Sequence, residues 1–188
     1  MRGKIKKQVI GFDFDKVFVD YPPLVPAKII DFLYKKKNGK LSYRFPNSFE
    51  QKIRILSHYP IFRRPIKNNV KILGLLFDNK HELHLISSRF SFLEKRTKAW
   101  LEKNNFSKFF RDTHFNFEDH QPHLFKSGVI HKLRIEKFVD DDLDLLNFLA
   151  KKNPLVKLFW ISPRKSNTVL PKNITHIKNL EEFLEKYL

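Results

Sequence analysis

Cysteine is missing from this chain of 188 residues, and glycine is scarce, with five in total. The lack of cysteine excludes disulfides, a thiolate nucleophile and cysteine-ligated zinc. With so few glycines, the sequence contains neither GxGxxG nor a Walker phosphate loop. No stretch approaches the roughly 20 apolar residues that a membrane span needs, and the start MRGKIKKQVIGF is unlike a signal peptide. We therefore expect a cytoplasmic protein with no membrane association.

Negative charge is scarce as well: 20 acidic residues face 37 lysines and arginines, which gives a net charge of +17. Such a surface attracts polyanions, including nucleic acid, through counterion release. A compositional bias explains part of the lysine content, because asparagine, isoleucine and phenylalanine are abundant too. The charge therefore predicts nonspecific nucleic-acid binding, and it indicates nothing about the fold. The 41% of hydrophobic residues is enough for a packed core.

Helical and strand patterns alternate through residues 66–188. The predicted strands are residues 82–87, 109–115, 136–139, 155–161 and 174–177, after a first strand at 9–14. The predicted helices are residues 66–77, 92–103, 125–133 and 143–151, with one more near the C-terminus. This alternation predicts an α/β fold, a Rossmann-like parallel sheet with helices on both faces. Ligands of such sheets bind beyond the carboxyl ends of the strands.

Residues 21–65 interrupt this alternation. Helices are predicted at 27–34 and at 47–58, the second with Ser48 as its cap, and the basic stretch 35–40 is predicted to be a solvated turn. A loop of ~45 residues without structure would be unusual inside a compact domain. We therefore expect residues 1–20 and 66–188 to form one core domain and residues 21–65 to form a small helical cap insert.

Two carboxylates end the first predicted strand, in the stretch VIGFDFD. Asp13 and Asp15 are two residues apart, so both can point to one side of a strand. Paired carboxylates are costly to hold together without a cation or a shared proton. Solvated acids at a strand end are the plain alternative, but the cost favours a functional site.

Polar residues end two further predicted strands. Ser87 and Ser88 follow the second strand, Asp140 and Asp141 follow the fourth, and Lys126 lies between the third and the fourth. Carboxylates suit Mg²⁺, which also takes phosphate oxygens as ligands, and hydroxyl and ammonium groups hold phosphate. A carboxylate can also attack phosphorus to form an aspartyl-phosphate. The strand ends therefore predict a phosphoryl-transfer site that requires Mg²⁺.

Four segments resemble, in order, the motifs of the haloacid dehalogenase (HAD) superfamily of phosphohydrolases. DFDKV at 13–17 is similar to its DxDx(T/V) motif, and LIS at 85–87 is similar to its second motif. KSGVI at 126–130 and FVDD at 138–141 are similar to its third and fourth motifs. The spelling ISSR is most similar to the 5′(3′)-deoxyribonucleotidase-like branch. The resemblance also implies that residues 21–65 take the place of a C1-type cap.

The resemblance implies a role for each matched residue in the chemistry. Asp13 would be the nucleophile, and Asp15 would be the general acid that then activates water. Ser87 and Ser88 would bind phosphate oxygens, and Lys126 would neutralise the phosphoryl group and the nucleophile.

A magnesium site is implied by the same resemblance. The Asp13 side chain, the Asp15 backbone carbonyl and Asp140 would hold Mg²⁺, with Asp141 at its edge. Asp142 follows directly and could instead act as the N-cap of the next helix. The three acids at 140–142 could also form no more than a capping cluster.

Two lysines leave alternatives open. Position 16 is lysine where this branch often has glycine, and its backbone amide would be expected to face the phosphate. Lys132 competes with Lys126 for the third-motif role. We favour Lys126, because it lies near a helix start and about two turns before Lys132.

Other polar residues have weaker patterns. Ser87 could be a simple turn residue. His114, His120 and His123 match no zinc spacing and are expected to be loop residues or one substrate contact. Arg63 could reach a phosphate, but a solvated position is expected for it.

The sequence thus predicts a Mg²⁺-dependent phosphomonoesterase that acts through an aspartyl-phosphate on a nucleotide or other small organic phosphate. The charge keeps two alternatives open, a phosphatase of nucleic-acid ends and a basic nucleic-acid-binding α/β module with a degenerate site. A phospho-accepting receiver domain is a third alternative, but it would give Asp15 and the insert no purpose.

Overall fold

The computed structural model of the protein describes residues 7–20, 35–38, 40–164 and 167–187. The helix predicted at 27–34 lies outside the described residues. The strands are β1 Val9–Phe12, β2 Lys35–Asn38, β3 Lys40–Tyr43, β4 Glu82–Ser87, β5 Asp112–Phe115, β6 Lys137–Asp140, β7 Lys157–Ile161 and β8 Ile174–Ile177. The helices are α1 Ser48–Ser57, α2 Lys67–Asp78, α3 Glu94–Lys103, α4 Pro122–Lys132, α5 Leu143–Lys152 and α6 Leu180–Tyr187.

Six strands form one parallel sheet in the order β5-β4-β1-β6-β7-β8. The predicted Rossmann-like fold is confirmed. After β1 the chain builds β4 and β5 on one side and then crosses to β6 on the other. The strand order therefore reverses beside β1, and the crevice at such a reversal is where open α/β sheets bind ligands.

Apolar side chains on both faces of the sheet hold the helices. Helices α2, α3 and α6 cover one face, and α4 and α5 cover the other. The first face is dominated by aromatic rings: Phe12, Phe14, Phe18, Trp100, Phe106, Phe159 and Phe183. On the other face Gly11 allows close packing, because a Cβ there would lie 2.9 Å from the Phe138 ring. The packing on both faces of the sheet fixes the position of the carboxyl end of β1.

Two elements begin three residues away from their predicted starts, and one of them is α4, which begins at Pro122 and not at residue 125. β5 begins at Asp112, not at residue 109, because residues Ser107–Phe109 form a short 3₁₀ helix first. β4 and β8 have the predicted bounds. Within the described ranges no helix is both long and apolar enough to cross a lipid bilayer.

The predicted solvated turn at 35–40 is wrong. β2 and β3 form an antiparallel hairpin in which the backbone of Lys37 pairs with that of Leu41. The dipeptide Asn-Gly at 38–39 is a common hairpin signal, but the lysines around it favoured the prediction of a solvated turn. Helix α1 follows, with Asn47 as its N-cap in place of the predicted Ser48, and a reciprocal capping box with Glu50.

The hairpin is held near the carboxyl edge of the sheet by Tyr43. Its hydroxyl donates to Asp142 Oδ2 at 2.7 Å, and its backbone N–H donates to Gln121 Oε1 at 2.9 Å. Burial of the phenol and the Asp142 charge raise the pKa of Tyr43 far above its usual value, so it remains a donor. Part of the segment predicted as a cap thus lies beside the strand ends.

Candidate active site

Asp13 follows the last residue of β1 directly and is almost completely buried. Its backbone N–H donates to the Val139 carbonyl at 2.9 Å, which ties the chain to β6 just past the strand end. Because β1 has a neighbour on each side, its carboxyl end is enclosed by the ends of β4 and β6. This enclosure explains why a carboxylate so close to a strand end is shielded from water.

Lys126, on α4, lies between two carboxylates. Its Nζ is 2.7 Å from Asp13 Oδ1 and 2.6 Å from Asp140 Oδ2. All three side chains are buried. Lys132, the competing candidate, is exposed in the last turn of the same helix and takes no part in the cluster. The lysine that the fold brings to the strand ends is therefore Lys126.

The acidic run after β6 divides into separate tasks. Asp140 accepts the Asp142 backbone N–H at 2.9 Å, and Asp142 caps α5 by accepting the N–H of Asp144 at 3.0 Å. Asp142 is therefore the N-cap of α5, which is the alternative role that the sequence suggests for it. Asp141 lies with Asp13 and Asp140 in a group whose ligand atoms are within 4.8 Å of one another.

Charge within this carboxylate cluster is unbalanced. Burial raises the pKa of Asp13 to about 7 against the attraction of Lys126, and burial also raises the pKa of Asp140 and of Asp141. Although burial opposes its charge, the two carboxylates raise the pKa of Lys126, which stays protonated. Three carboxylates facing one buried ammonium fit an added hard cation, because such a cation would remove the repulsion that raises these pKa values.

Lys16 is placed differently from expectation. Its backbone N–H donates to the Val19 carbonyl at 2.7 Å, so the amide is engaged within its own loop and does not face a phosphate site. The residue is in the left-handed region, with φ 58°. Its ammonium lies 3.4 Å from Asp141 Oδ2. Lysine at this position therefore adds positive charge at the rim of the carboxylate cluster.

Ser87 and Ser88 lie at the end of β4, next to β1 in the sheet. Ser87 is buried, and its carbonyl accepts the Asn116 N–H at 3.2 Å. The Ser88 hydroxyl is also buried, and it has no hydrogen-bond partner among the described residues. A buried hydroxyl without a partner is costly, so the Ser88 hydroxyl is available as a donor to an added anion.

Asp15 is held by two arginines. Arg89 donates from Nε to Oδ2 at 2.8 Å and from Nη2 to Oδ1 at 2.7 Å, and Arg63 forms a second close ion pair with Oδ1. Despite burial, Arg89 and Arg63 hold the pKa of Asp15 far below its usual value. The carboxylate is therefore ionised, and both of its oxygens are occupied in this arrangement.

The sequence motifs do not place Arg63 or Arg89 in the site. The expected solvated position of Arg63 is wrong: it is 2% exposed, and its carbonyl accepts the Trp100 Nε1 hydrogen at 2.7 Å. Arg89 is held by Thr97 Oγ1 at 3.1 Å and lies over the Phe14 ring at 4.4 Å. Arg89 is the last residue of the sequence ISSR at 86–89, so this motif could have indicated that Arg89 lies near the site.

His58, just past α1, lies close enough to Asp15, Arg63 and Arg89 to interact with them electrostatically. Burial, with Arg89 and Arg63, lowers the pKa of His58 to about 3, so the ring is neutral. Arg63 and His58 both belong to the 21–65 segment. That segment therefore contributes directly to the surroundings of Asp15.

The three loop histidines do not come together. His120 is exposed, and His123 packs between Phe148, at 4.5 Å, and Tyr43, at 6.0 Å between ring centroids. His114 lies apart from them, on β5. The structure thus gives no joint role to His114, His120 and His123.

The two neighbouring arginines allow a matched test of the Asp15 ion pairs. We expect Arg63→Met to lower the free energy of unfolding by about 3 kcal/mol at pH 7, because it removes one partner of a buried pair. Arg64→Met, at the exposed neighbouring position, should change it by less than about 0.5 kcal/mol. Urea unfolding of both variants and the wild type provides the measurement.

The pH dependence of this loss follows from the lowered pKa of Asp15. An acid with a lowered pKa in the folded state adds stability above its unfolded pKa, and that stability disappears as the pH falls. Removing Arg63 moves the folded-state pKa of Asp15 back toward its ordinary value of 3.8, but Arg89 remains, so the cost of Arg63→Met should be constant above about pH 5 and shrink only in more acidic solution. A loss that grows as the pH falls, or that is equal for both arginines, would contradict the ion-pair explanation.

No protein-family model and no curated protein matches the chain by sequence. Solved structures do match its fold. A haloacid dehalogenase-like hydrolase from Bacteroides fragilis aligns with a TM-score of 0.65 at 14% identity, over 95% of this chain and 100% of that chain. An HAD-superfamily hydrolase from Ehrlichia chaffeensis aligns with a TM-score of 0.55 at 13% identity, over 96% and 97% of the two chains.

A third match is the D,D-heptose 1,7-bisphosphate phosphatase of B. bronchiseptica, complexed with magnesium and phosphate. It aligns with a TM-score of 0.58 at 11% identity, over 96% of this chain and 97% of that chain. Identities this low establish the fold and not the activity. The chain therefore has the fold seen in HAD-superfamily hydrolases over nearly its whole length.

Proposed function

We propose that the protein is a Mg²⁺-dependent phosphomonoesterase that acts through an aspartyl-phosphate. The observation that carries this proposal is the buried ammonium of Lys126 between Asp13 and Asp140, with Asp141 beside them. The position of this carboxylate cluster, at the strand-order reversal, supports a substrate site. The fold shared with magnesium-bound and phosphate-bound relatives supports the same chemistry.

In this mechanism Asp13 attacks phosphorus with a carboxylate oxygen, and the bond from phosphorus to the leaving oxygen breaks. Water then attacks the phosphoryl group, which releases phosphate and regenerates Asp13. Lys126 favours the ionised form of the nucleophile against the effect of burial, and it offsets the negative charge that the substrate brings. The Ser88 hydroxyl is free to donate to a phosphate oxygen.

Asp13, Asp140 and Asp141 would hold the magnesium ion. Their donors are all carboxylate oxygens, as Mg²⁺ prefers. When bound, Mg²⁺ supplies the positive charge that lets a phosphate dianion approach three acids.

Asp15 would donate a proton to the leaving oxygen and later accept one from water. Its two arginine partners oppose this, because they keep the carboxylate ionised and occupied. We propose that proton transfer by Asp15 requires release of its contacts with both Arg89 and Arg63.

A small phosphorylated molecule, such as a nucleotide, is the proposed substrate. The sequence resemblance to the 5′(3′)-deoxyribonucleotidase-like branch supports this choice. A screen of nucleoside monophosphates, sugar phosphates and phosphorylated oligonucleotides, with and without Mg²⁺, provides the test. We expect repeated turnover of at least one small phosphate, and only with Mg²⁺.

Other outcomes of this screen separate the alternatives. A single round of phosphorylation would instead indicate a receiver domain. No phosphate release from any substrate, with oligonucleotide binding intact, would overturn the proposal in favour of a nucleic-acid-binding module. The cytoplasmic location stays a prediction, for cell fractionation to check.

The net charge of +17 favours one second candidate, a phosphatase of nucleic-acid ends. Neutralised backbone phosphates release counterions, so such activity should fall steeply between about 50 and 200 mM salt. Turnover of a mononucleotide should be far less sensitive to salt. Preference for phosphorylated oligonucleotides at low salt, lost at high salt, would identify the second candidate.

A further inference from the structure

Two histidines and one aspartate meet on neighbouring strands near the edge of the sheet, away from the carboxylate cluster. His84 lies on β4 beside Asp112 on β5, and His114 lies beside Ile86 two residues further along, on the same face of the sheet. One ligand atom from each of the three side chains lies within 4.8 Å of the others. We propose that His84, Asp112 and His114 form a binding site for a divalent transition metal ion such as Zn²⁺.

One nitrogen of each histidine in this cluster has no hydrogen-bond partner among the described residues. His84 is 1% exposed, and its Nδ1 has no hydrogen-bond partner among the described residues. Nε2 of His114 is likewise buried without a partner in the described part of the chain. Buried polar atoms are nearly always satisfied, so two such nitrogens in one small cluster point to a missing ligand.

The ring of His84 is already oriented for binding. Its Nε2 lies 3.3 Å from Glu82 Oε1, within hydrogen-bond reach. A hydrogen on Nε2 that is donated to this carboxylate leaves the lone pair on Nδ1 free. Histidine ligands of metals characteristically donate their second ring hydrogen to a carboxylate, which fixes the ring and increases its basicity.

His114 supplies the second imidazole of the cluster from a half-buried position on β5. Asp112 supplies a carboxylate from an exposed position. The donor set of two imidazoles and one carboxylate suits Zn²⁺ and similar ions, whereas Mg²⁺ prefers oxygen alone. Three protein ligands leave one position of a tetrahedral ion for water.

A metal ion at this site would hold β5 against β4 at the edge of the sheet. Among the strands that the structure describes, β5 pairs with β4 alone, so one neighbour holds it. A metal ion shared by the two strands would join them independently of their backbone hydrogen bonds. The site would therefore stabilise β5 and remain separate from the chemistry at Asp13.

The test uses the whole protein, freed of metal with EDTA and then kept in excess Mg²⁺ to fill the carboxylate cluster. Zn²⁺ is titrated in competition with a chromophoric chelator. The wild type should bind one Zn²⁺, and His114→Asn should raise the Kd by at least about tenfold. His176→Asn is the matched control, because His176 is a half-buried histidine on β8, at the opposite edge of the sheet.

Three results would overturn the proposal. These are an unchanged Kd in His114→Asn, an equal rise in His176→Asn, and loss of Zn²⁺ binding in Asp13→Asn. The last result would place the ion in the carboxylate cluster. If His114→Asn does not fold, Asp112→Asn is the substitute, because its side chain is exposed.

Thermal unfolding gives a second, independent readout. Because a ligand that binds the folded state raises Tm, Zn²⁺ should stabilise the wild type and His176→Asn. The same Zn²⁺ concentration should raise the Tm of Asp112→Asn much less. An equal shift in all three proteins would contradict the assigned ligands.

Discussion

Replacing Asp13 with asparagine is expected to lower kcat for Mg²⁺-dependent phosphate release by at least about 10³-fold. The amide of asparagine cannot attack phosphorus as a carboxylate does, and it removes one charge partner of Lys126. The change is nearly isosteric, so the buried position should be retained. The measurement is the initial rate with p-nitrophenyl phosphate, at saturating substrate and Mg²⁺.

Asp78→Asn is the matched control for this substitution. Asp78 is exposed at the end of α2, far along the chain from the strand ends, and its rate should equal that of the wild type. Circular dichroism of all three proteins checks the fold. A rate for Asp13→Asn within tenfold of the wild type would contradict Asp13 as the nucleophile.

The covalent intermediate gives a more specific readout. Wild-type protein quenched in acid during turnover should contain a fraction with one added phosphoryl group by intact mass. Asp13→Asn should contain none, and peptide mapping should place the group on Asp13. Phosphoryl transfer to any other residue would contradict the proposed mechanism even if Asp13→Asn were inactive.

The sheet and its helices were predictable because most of these elements contain a strong local signal. Apolar runs such as LHLIS predict buried strands, and their alternation with amphipathic segments predicts parallel order. Parallel strands end at the same edge of a sheet, so the polar residues that follow them could be expected to meet. The structure places Lys126 within hydrogen-bond distance of Asp13 and Asp140, and their catalytic roles stay predictions.

Choices between similar residues depended on tertiary contacts that sequence does not specify. Arg63 and Arg64 have the same side chain, yet only Arg63 is buried against Asp15, 48 positions away. The contact of Arg89 with Asp15 spans 74 positions. Residue type favoured a solvated position for Arg63, because charged side chains are usually exposed.

The histidine cluster could not be predicted either, because it depends on the register between β4 and β5. His84 and Asp112 are adjacent only because β4 and β5 pair at that level. A shift by one residue would turn one of the two side chains to the opposite face. The spacing of His114, His120 and His123 along the chain therefore could not indicate this cluster, because His84 joins it from the neighbouring strand.

Replacing Lys126 with methionine should cause the largest loss of stability among these variants. Methionine keeps an unbranched side chain of similar length but removes the ammonium between Asp13 and Asp140. Removing one partner of a buried ion pair typically costs about 3–5 kcal/mol, because the remaining charge has neither water nor a counterion. Lys132→Met is the matched control on the same helix, where the side chain is exposed.

The size of this loss should depend on pH. Burial raises the pKa of Asp13 and of Asp140 even with Lys126 present, and without it both pKa values must rise further. The folded protein then keeps protons that the unfolded chain releases above an ordinary pKa of 3.8. Because the folded state binds more protons, the free energy of unfolding falls as the pH rises through this range. The cost of Lys126→Met should therefore be smaller at pH 5 than at pH 8.

Urea unfolding without Mg²⁺ at pH 5 and pH 8 measures this difference. Mg²⁺ added at pH 8 should restore part of the lost stability, because a cation among the same carboxylates replaces the missing ammonium charge. A loss that is independent of pH and of Mg²⁺ would mean that Lys126 contributes packing alone. Since the Lys132→Met control keeps the cluster intact, its stability should follow that of the wild type at both pH values, and the contrast isolates the charge of Lys126.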